Sequence, residues 1–312
     1  WEAKDVFNPA AVVKDDRVYL LYRAEDHEGK YAGTSRVGMA VSEDGLHFQT
    51  MPEPVLYPEK DEFSIYEWEG GCEDPRIVET KDGKYFLYYT SFNGKVALLS
   101  CAESTDLVHW KKHGPIFKDT LNGKYKDLWS KSGAVVCRQE GDHFYPVKLK
   151  ETYWMYWGES DIYAATSDDL IHWTPVEFLA DGADPSHSFS QHDSRCKDND
   201  EVARVLLPII RPRVGNYDEF LCEPGPQAIL TDAGIVLIYN GKGDNPERLG
   251  GHDTMYQGGQ LLIDPENPTC LIARTTRPFI SPSESFELEG QVMPTCFLEG
   301  LVSFHGRYYM YY

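Results

Sequence analysis

Three acidic residues stand at the ends of segments rich in aromatic and aliphatic side chains. Asp74 lies within Gly-Gly-Cys-Glu-Asp-Pro-Arg-Ile, Glu223 precedes Pro-Gly-Pro, and Glu159 follows Tyr-Trp-Met-Tyr-Trp-Gly. Cleavage of a glycosidic bond uses a pair of carboxyl groups, one protonated to assist the leaving oxygen and one ionised to activate water. Single carboxylates after strands are often only solvated, and Asp74 with Arg76 is also typical of a structural pair. The chemistry therefore depends on whether the three residues meet in space.

A repeated strand pattern runs through the chain and would bring such residues together. Each copy reads as a strand, a turn with Gly or Asp, a second strand and a short aromatic-tipped strand, while helical periodicity is nearly absent. The first strands of the copies are predicted at Val18–Tyr22, Tyr85–Tyr89, Tyr153–Trp157, Ile235–Tyr239 and Arg307–Tyr311. Sheets of this kind bury their faces by stacking around an axis. We therefore predict an all-β, five-bladed β-propeller over 1–312, one domain whose last blade is incomplete at the C-terminus.

In a propeller the blade-initiating strands point their ends at the central channel, so motifs at equivalent positions converge. Asp74, Glu159 and Glu223 fall at such positions in three different copies. Histidines also recur, at His47, His109 and His172, in equivalent places near the end of a copy. We interpret these histidines as part of the packing of the repeat and not as catalytic groups.

The charge balance excludes several classes of partner. The chain has 50 acidic and 30 basic residues and a formal net charge of −20, which argues against nucleic-acid binding and disfavours strongly anionic substrates. No apolar run reaches the length of a membrane span. An exported location, periplasmic or at a bacterial cell surface, is favoured over the cytoplasm. The oligomeric state does not follow from the sequence.

Metal and cofactor motifs are lacking. The seven cysteines are scattered singly, without a Cys-x-x-Cys pair, and are typical of small buried hydrophobic residues. His187 and His192 lie in the long irregular stretch 181–200 without a ligand set of metal-binding spacing. We expect no metal and no cofactor.

Taken together, the motifs resemble those of glycoside hydrolase family 130, the mannoside phosphorylases and mannosidases. The resemblance covers nearly the whole chain and rests on Phe7-Asn-Pro-Ala10, Leu21–Asp26, Cys72–Ile77, Ser130–Ala134 and Glu223–Pro226. It implies a five-bladed propeller that binds a β-mannoside oligosaccharide. Asp74 matches the family's general acid, which is thought to pass its proton through the mannose 3-hydroxyl group. Further matching positions imply substrate contacts from Asn8, Arg23, Arg36, Lys131, Asn240 and Tyr256.

The phosphorylase branch of that family holds phosphate with an Arg, a Lys, a His and a Tyr. By alignment these positions fall on Glu159, Glu223, Asn240 and Tyr256. Two carboxylates at a phosphate site would repel the dianion, whereas they can accept a proton from water. The resemblance therefore implies an inverting, exo-acting hydrolase of β-1,2-mannosides. Glu223 is preferred over Glu159 as the base, because the Pro-Gly-Pro that follows would hold it rigidly.

Three alternatives stay open. A phosphorylase could bind phosphate through other cations, with candidates Lys131, Lys148, Arg211 and Arg213. A non-catalytic glycan-binding propeller is disfavoured by the retention of Asp74 with two glutamates. A five-bladed glycosidase acting on arabinosides or xylosides would share the fold but not the Glu-Asp-Pro-Arg context, and fold alone does not separate these. Trp68 and Trp129 are candidates for stacking on sugars or for core packing.

Overall fold

The fold consists almost entirely of antiparallel strands. In a computed structural model, residues 1–27, 33–179, 204–244, 254–290, 292 and 294–312 are described. Their only helices are two of four residues each, α1 (Ser64–Glu67) and α2 (Ser285–Leu288), and a 3-10 turn (Thr120–Gly123). The all-β prediction is therefore confirmed.

The first two repeats each form a four-stranded antiparallel sheet. The first contains β1 (Asp5–Lys14), β2 (Arg17–Glu25), β3 (Arg36–Ser42) and β4 (Gln49–Thr50). The second contains β5 (Gly71–Glu79), β6 (Tyr85–Phe92), β7 (Ala97–Ser104) and β8 (Lys111–Pro115). The strands predicted to come first in these copies are β2 and β6, and the structure places β1 and β5 before them. Each prediction of a first strand missed this earlier strand, because its apolar residues are interrupted by the Asn-Pro and Asp-Pro motifs.

The third and fourth repeats join into one eleven-stranded sheet. Its strands are β9 (Ala134–Glu140), β10 (His143–Pro146), β11 (Lys148–Leu149), β12 (Thr152–Trp157), β13 (Tyr163–Ser167) and β14 (Trp173–Pro175), then β17 (Leu221–Pro224), β18 (Ala228–Thr231), β19 (Gly234–Asp244), β20 (Thr254–Ile263) and β21 (Leu271–Arg274). A parallel pairing of β9 with β18 connects the two halves. A separate pair is formed by β15 (Glu177–Leu179) and β16 (Arg204–Leu206). The fifth repeat is the pair β22 (Gly300–Phe304) and β23 (Arg307–Tyr311).

Apolar clusters lie between successive repeats. The first and second share a cluster that includes Leu21 and Leu87, and the second and third share one that includes Tyr88 and Trp157. Similar clusters join the third repeat to the fourth and the fourth to the fifth. The fifth packs back on the first, where Phe304 contacts the cluster of Val13 and Val18. The core is thus divided among the interfaces between repeats.

The recurring histidines belong to a repeated turn. In each of three copies, an aspartate accepts hydrogen bonds from two following backbone N–H groups and lies 2.7 Å from the histidine Nδ1; the pairs are Asp44–His47, Asp106–His109 and Asp169–His172. Such side-chain to backbone bonds stabilise tight turns. The interpretation of these histidines as repeat packing agrees with this geometry.

Of the seven cysteines, the six in the described part of the chain are free thiols, five of them buried; Cys196 lies outside it. Within the same residues, no helix is long and apolar enough to cross a membrane.

Candidate active site

Irregular backbone at the starts of inner strands positions the candidate residues. The β1–β2 pairing shifts register between Phe7 and Ala10, and the β5–β6 pairing shifts between Glu73 and Arg76. Asn8 and Asp74 lie inside these bulges with φ values of 55° and 47°. Bulges redirect side chains and are frequent beside active sites, and left-handed non-glycine residues mark positions held by their surroundings. The Asn-Pro and Asp-Pro motifs thus break the ladder where their side chains turn into a cleft.

Asp74 is the most heavily contacted of the candidate carboxylates. Its Oδ1 accepts hydrogen bonds from Asn8 Nδ2 at 2.7 Å and from Arg23 Nη1 at 3.0 Å. Lys131 Nζ lies 3.1 Å from its Oδ2. Burial disfavours its ionised form, but Lys131 and Arg23 more than offset burial and hold the pKa of Asp74 below its ordinary value. Asp74 is therefore ionised in the free site near neutral pH.

Glu223 is buried and interacts electrostatically with Lys131. It accepts a short hydrogen bond from the Ser132 hydroxyl group. Burial, with a further contribution from the Glu159 charge, raises the pKa of Glu223 to about 7, against the opposing effect of Lys131. A carboxyl group with this pKa can hold or release a proton near neutral pH.

Glu159 follows β12, as the strand pattern predicts, and lines the same cleft. Its Oε2 accepts a hydrogen bond of 2.6 Å from Trp129 Nε1. Burial disfavours the charged form of Lys131, but Asp74, Glu223 and Glu159 outweigh it and raise the pKa of this lysine above its ordinary value. The lysine ammonium group thus pairs with Asp74 and interacts electrostatically with carboxylates from two further repeats.

Arg76 connects the backbone segments that carry two of these carboxylates. Its guanidinium donates hydrogen bonds of 3.0 Å to the carbonyl oxygens of Asp74 and Pro224, and its Nη1 lies 2.7 Å from Glu299 Oε1. Arg76 and Glu299 are both buried. Arg76 therefore pairs with Glu299 and the backbone, and not with the Asp74 side chain as the sequence alone suggested.

The three candidate carboxylates, Asp74, Glu159 and Glu223, meet in a cleft of about 490 Å³. This volume falls within the roughly 300–1,000 Å³ range of small-molecule sites. The charged lining residues are six carboxylates and two cations, namely Asp5, Asp74, Glu159, Glu223, Glu287, Glu289, Arg23 and Lys131. The other lining residues are Val6, Phe7, Asn8, Tyr256, Phe286, Gly290, Val292, Thr295, Phe297 and Tyr312. Asp74, Glu159, Glu223, Asn8, Arg23, Lys131 and Tyr256 are thus brought together.

Two predicted substrate contacts lie outside this lining. Asn240 pairs with Glu223 across β17 and β19, but it is fully buried and both its amide atoms bond to the backbone of Leu298. Arg36 forms an ion pair of 3.2 Å with Asp26. In this geometry Asn240 supports the segment before Glu299, and neither side chain lines the cleft.

Three of the four cations considered for a displaced phosphate site lie outside the cleft lining. Lys131 lines the cleft but pairs with Asp74. Arg213 forms an ion pair of 2.8 Å with the buried Asp218. Lys148 lies over the Tyr153 ring at 5.0 Å, and neither it nor Arg211 lines the cleft.

Sequence reasoning missed several members of the site. Glu73 lies 3.0 Å from Arg23, and burial raises the pKa of Glu73 to about 7 against the opposing effect of that arginine. Burial likewise raises the pKa of Glu299 well above its ordinary range, although Arg76 opposes this. The signal for Glu299 was its position before a glycine at the start of a repeat, and the signal for Ser132 was its place beside Lys131. The mouth residues around Phe286 carried no motif.

No group of three or more His, Cys, Asp or Glu side chains in the described ranges is arranged to hold a metal ion. His187 and His192 lie outside those ranges. The absence of a metal requirement stays a prediction.

Known proteins resemble the chain along its full length. A family model described as beta-1,4-mannooligosaccharide phosphorylase matches residues 2–312. The 1,2-beta-oligomannan phosphorylase of Thermoanaerobacter sp. (strain X514) is 28% identical over 330 residues, covering 100% of this chain and 87% of that protein. The crystal structure of a glycosyl hydrolase from Bacteroides ovatus is 42% identical, with a TM-score of 0.87 and coverage of 100% and 82% of the two chains.

A further solved structure is 41% identical, with a TM-score of 0.87 and coverage of 100% of this chain and 82% of the other. It is described by the words "The GH130 family of mannoside phosphorylases contains glycoside hydrolases that target beta-1,2 mannosidic linkages in Candida mannan". The similar proteins thus include both phosphorylases and hydrolases that act on mannosides.

Proposed function

The chain belongs to glycoside hydrolase family 130, an enzyme family that acts on mannosides, and we propose that it is an inverting, exo-acting hydrolase of β-1,2-linked mannosides. The proposal assigns Asp74 as the general acid and Glu223 as the general base, with Glu159 orienting the water. It also takes the all-β fold to be a five-bladed propeller, supported by apolar clusters that join the five repeats in cyclic order.

The charge of the cleft is the observation that carries the choice of hydrolysis. Six carboxylate residues and two cations line the described part of the cleft, and both cations already contact Asp74. A phosphate dianion beside Glu159 and Glu223 would be repelled by about 4 kcal/mol for each pair of unit charges 4 Å apart at an effective dielectric constant of 20. Water carries no such penalty, and it finds carboxylate acceptors in the same place.

Glu223 has the properties of a general base. Its raised pKa of about 7 leaves it ionised just above neutral pH and makes it a stronger base than an ordinary carboxylate. Glu159 is less buried and raises the pKa of Glu223 through its charge. We therefore assign proton acceptance to Glu223 and the orientation of the attacking water to Glu159.

Asp74 must acquire a proton before it can act as the acid. In the free site, Lys131 and Arg23 favour its ionised form. A substrate hydroxyl group that inserts between Asp74 and one of these cations weakens this stabilisation and raises the pKa of Asp74. The mannose 3-hydroxyl group that relays the proton in this proposal supplies that hydroxyl. Asn8 and Arg23 hold the same sugar ring, and Tyr256 borders it.

Phosphorolysis is the second candidate, because the family model and the Thermoanaerobacter relative are described as phosphorylases. The two reactions differ in acceptor and product. Digestion of β-1,2-mannobiose is followed by anomer-resolved NMR, once in phosphate-free buffer and once with added phosphate, with the Asp74→Asn protein as a control for contaminating enzymes. Hydrolysis gives α-mannose as the first-formed product in both buffers, at the same rate. Mannose 1-phosphate formed only with phosphate would replace this proposal with the phosphorylase.

A further inference from the structure

The mouth of the cleft is built on the short helix α2. Glu287 in this helix accepts hydrogen bonds from the backbone N–H groups of Ser283 and Glu284, at 2.6 and 2.7 Å, and from the Tyr312 hydroxyl group at 2.6 Å. The Thr295 N–H group bonds to the Glu287 carbonyl oxygen at 2.9 Å. These contacts hold α2 in place through Glu287. The neighbouring residue of the helix, Phe286, therefore has a fixed position.

That residue, Phe286, is 71% exposed and lines the cleft. Val292, which is 55% exposed, lines it as well. Exposed apolar side chains that border a polar cleft are typical of ligand-binding grooves, because water is released when a ligand covers them. Because its side chain is mostly exposed, Phe286 contributes little to the core. Its place at the mouth of the cleft therefore favours contact with a ligand.

The depth of the cleft decides which part of the ligand reaches Phe286. Asp74 and Glu223 are buried at its inner end, whereas Phe286 is at its solvent-exposed edge. The scissile bond must lie against the buried carboxylates, and the mannose held by Asn8 and Arg23 occupies the same inner end. The leaving part of the substrate therefore extends toward the mouth.

We propose that Phe286 forms the subsite for the leaving sugar, where its ring packs against the apolar face of a pyranose. Glu289, also in the lining, offers a carboxylate acceptor to hydroxyl groups of that sugar. The inference rests on the proposed β-mannosidase function. Under this proposal, residues at the mouth of the cleft determine the preference for a sugar as the leaving group. The residues around Asp74 do not.

The test compares a ligand that fills both positions with one that fills only the inner position. We would measure kcat/KM for β-1,2-mannobiose hydrolysis and the inhibition constant of methyl β-mannoside, which has no leaving sugar. Phe286→Ala is expected to lower kcat/KM for mannobiose about tenfold and to leave the inhibition constant unchanged. Phe286→Tyr keeps the ring and is expected to retain kcat/KM. Ile272→Ala, at another exposed apolar residue outside the cleft, is the matched control.

The possible outcomes distinguish failure of the Phe286 subsite from failure of the proposed function. An unchanged kcat/KM in Phe286→Ala, or an equal weakening of methyl β-mannoside, overturns the subsite while leaving the hydrolase proposal intact. Failure of the unmutated protein to bind or cleave mannobiose overturns the proposed function first, and the sugar assignment of Phe286 with it. Because Phe286 is mostly exposed, its replacement is not expected to disturb folding, which the melting temperature of each variant verifies.

Discussion

Lys131 Nζ lies 3.1 Å from Asp74 Oδ2, so the candidate acid is ion-paired before any substrate arrives. The same lysine is stabilised by Glu223 and Glu159. One cation therefore links the residue proposed to donate a proton to the residues proposed to activate water. This arrangement makes the protonation states of the site interdependent.

Asp74→Asn is expected to lower kcat on β-1,2-mannobiose by at least about a hundredfold, because the amide cannot donate a catalytic proton. Substrate affinity, measured by calorimetry, should survive, since the amide keeps the shape of the carboxylate and much of its hydrogen bonding. Asp15→Asn, at an exposed position, is the control. Near-normal turnover in Asp74→Asn would remove this residue from the mechanism.

The pH dependence of kcat/KM should report Glu223 as the base. Activity is expected to fall as the pH drops below about 7, because protonation of Glu223 removes the base. The Ser132 hydroxyl group stabilises the ionised form, so Ser132→Ala should move this limb to higher pH by roughly 0.5–1 pH unit. Ser132 has a positive φ of 57°, and Ser132→Gly therefore controls for backbone strain. A limb that stays in place in both variants would contradict the assignment.

Glu159→Gln and Glu223→Gln should each damage kcat far more than substrate affinity. If both groups serve one water molecule, the double variant loses much less than the product of the two single losses. A double-mutant cycle in kcat measures this coupling. Strictly multiplicative losses would show that the two glutamates act independently.

The pH dependence of the protein's stability should also reflect the buried Glu223. Its pKa rises from an ordinary value of 4.5 to about 7 on folding, so the folded state binds more protons than the unfolded state between these values. The stability associated with this proton is present below pH 4.5 and is lost as the pH rises through 7. The amide in Glu223→Gln stays neutral at all these pH values. The melting temperature of this variant should therefore rise, relative to that of the unmutated protein, from pH 5 to pH 8. The exposed Glu53→Gln should show no such trend, and an equally flat result for Glu223→Gln would contradict the raised pKa.

Catalysis is expected to need no metal ion. Prolonged treatment with EDTA should leave kcat unchanged, since the proposed chemistry uses carboxyl groups and water alone. Loss of activity in EDTA that returns with Ca²⁺ or Zn²⁺ would show that the mechanism lacks a component.

Much of the local structure could be read from the sequence. Repeated short runs of apolar and aromatic residues predicted β2, β6, β12, β19 and β23, and the recurring Asp–His turns were recognised as part of the repeat. Strand periodicity and turn chemistry depend on residues a few positions apart, so one sequence contains them in full. The Asp-Pro and Glu-Pro motifs were found for the same reason, because each is a short local signal.

The tertiary structure decided which of these residues meet and what charge they carry. Separate repeats supply Asn8, Asp74, Lys131 and Glu223, and Arg76 pairs with Glu299, which is distant in the chain. Arg36 and Asn240 matched the family pattern, yet the fold places them on Asp26 and Leu298. A pKa depends on burial and on distances between charges that are far apart in the chain. For this reason the sequence identified the carboxylates, whereas only the folded chain separated an ionised Asp74 from a Glu223 that titrates near neutral pH.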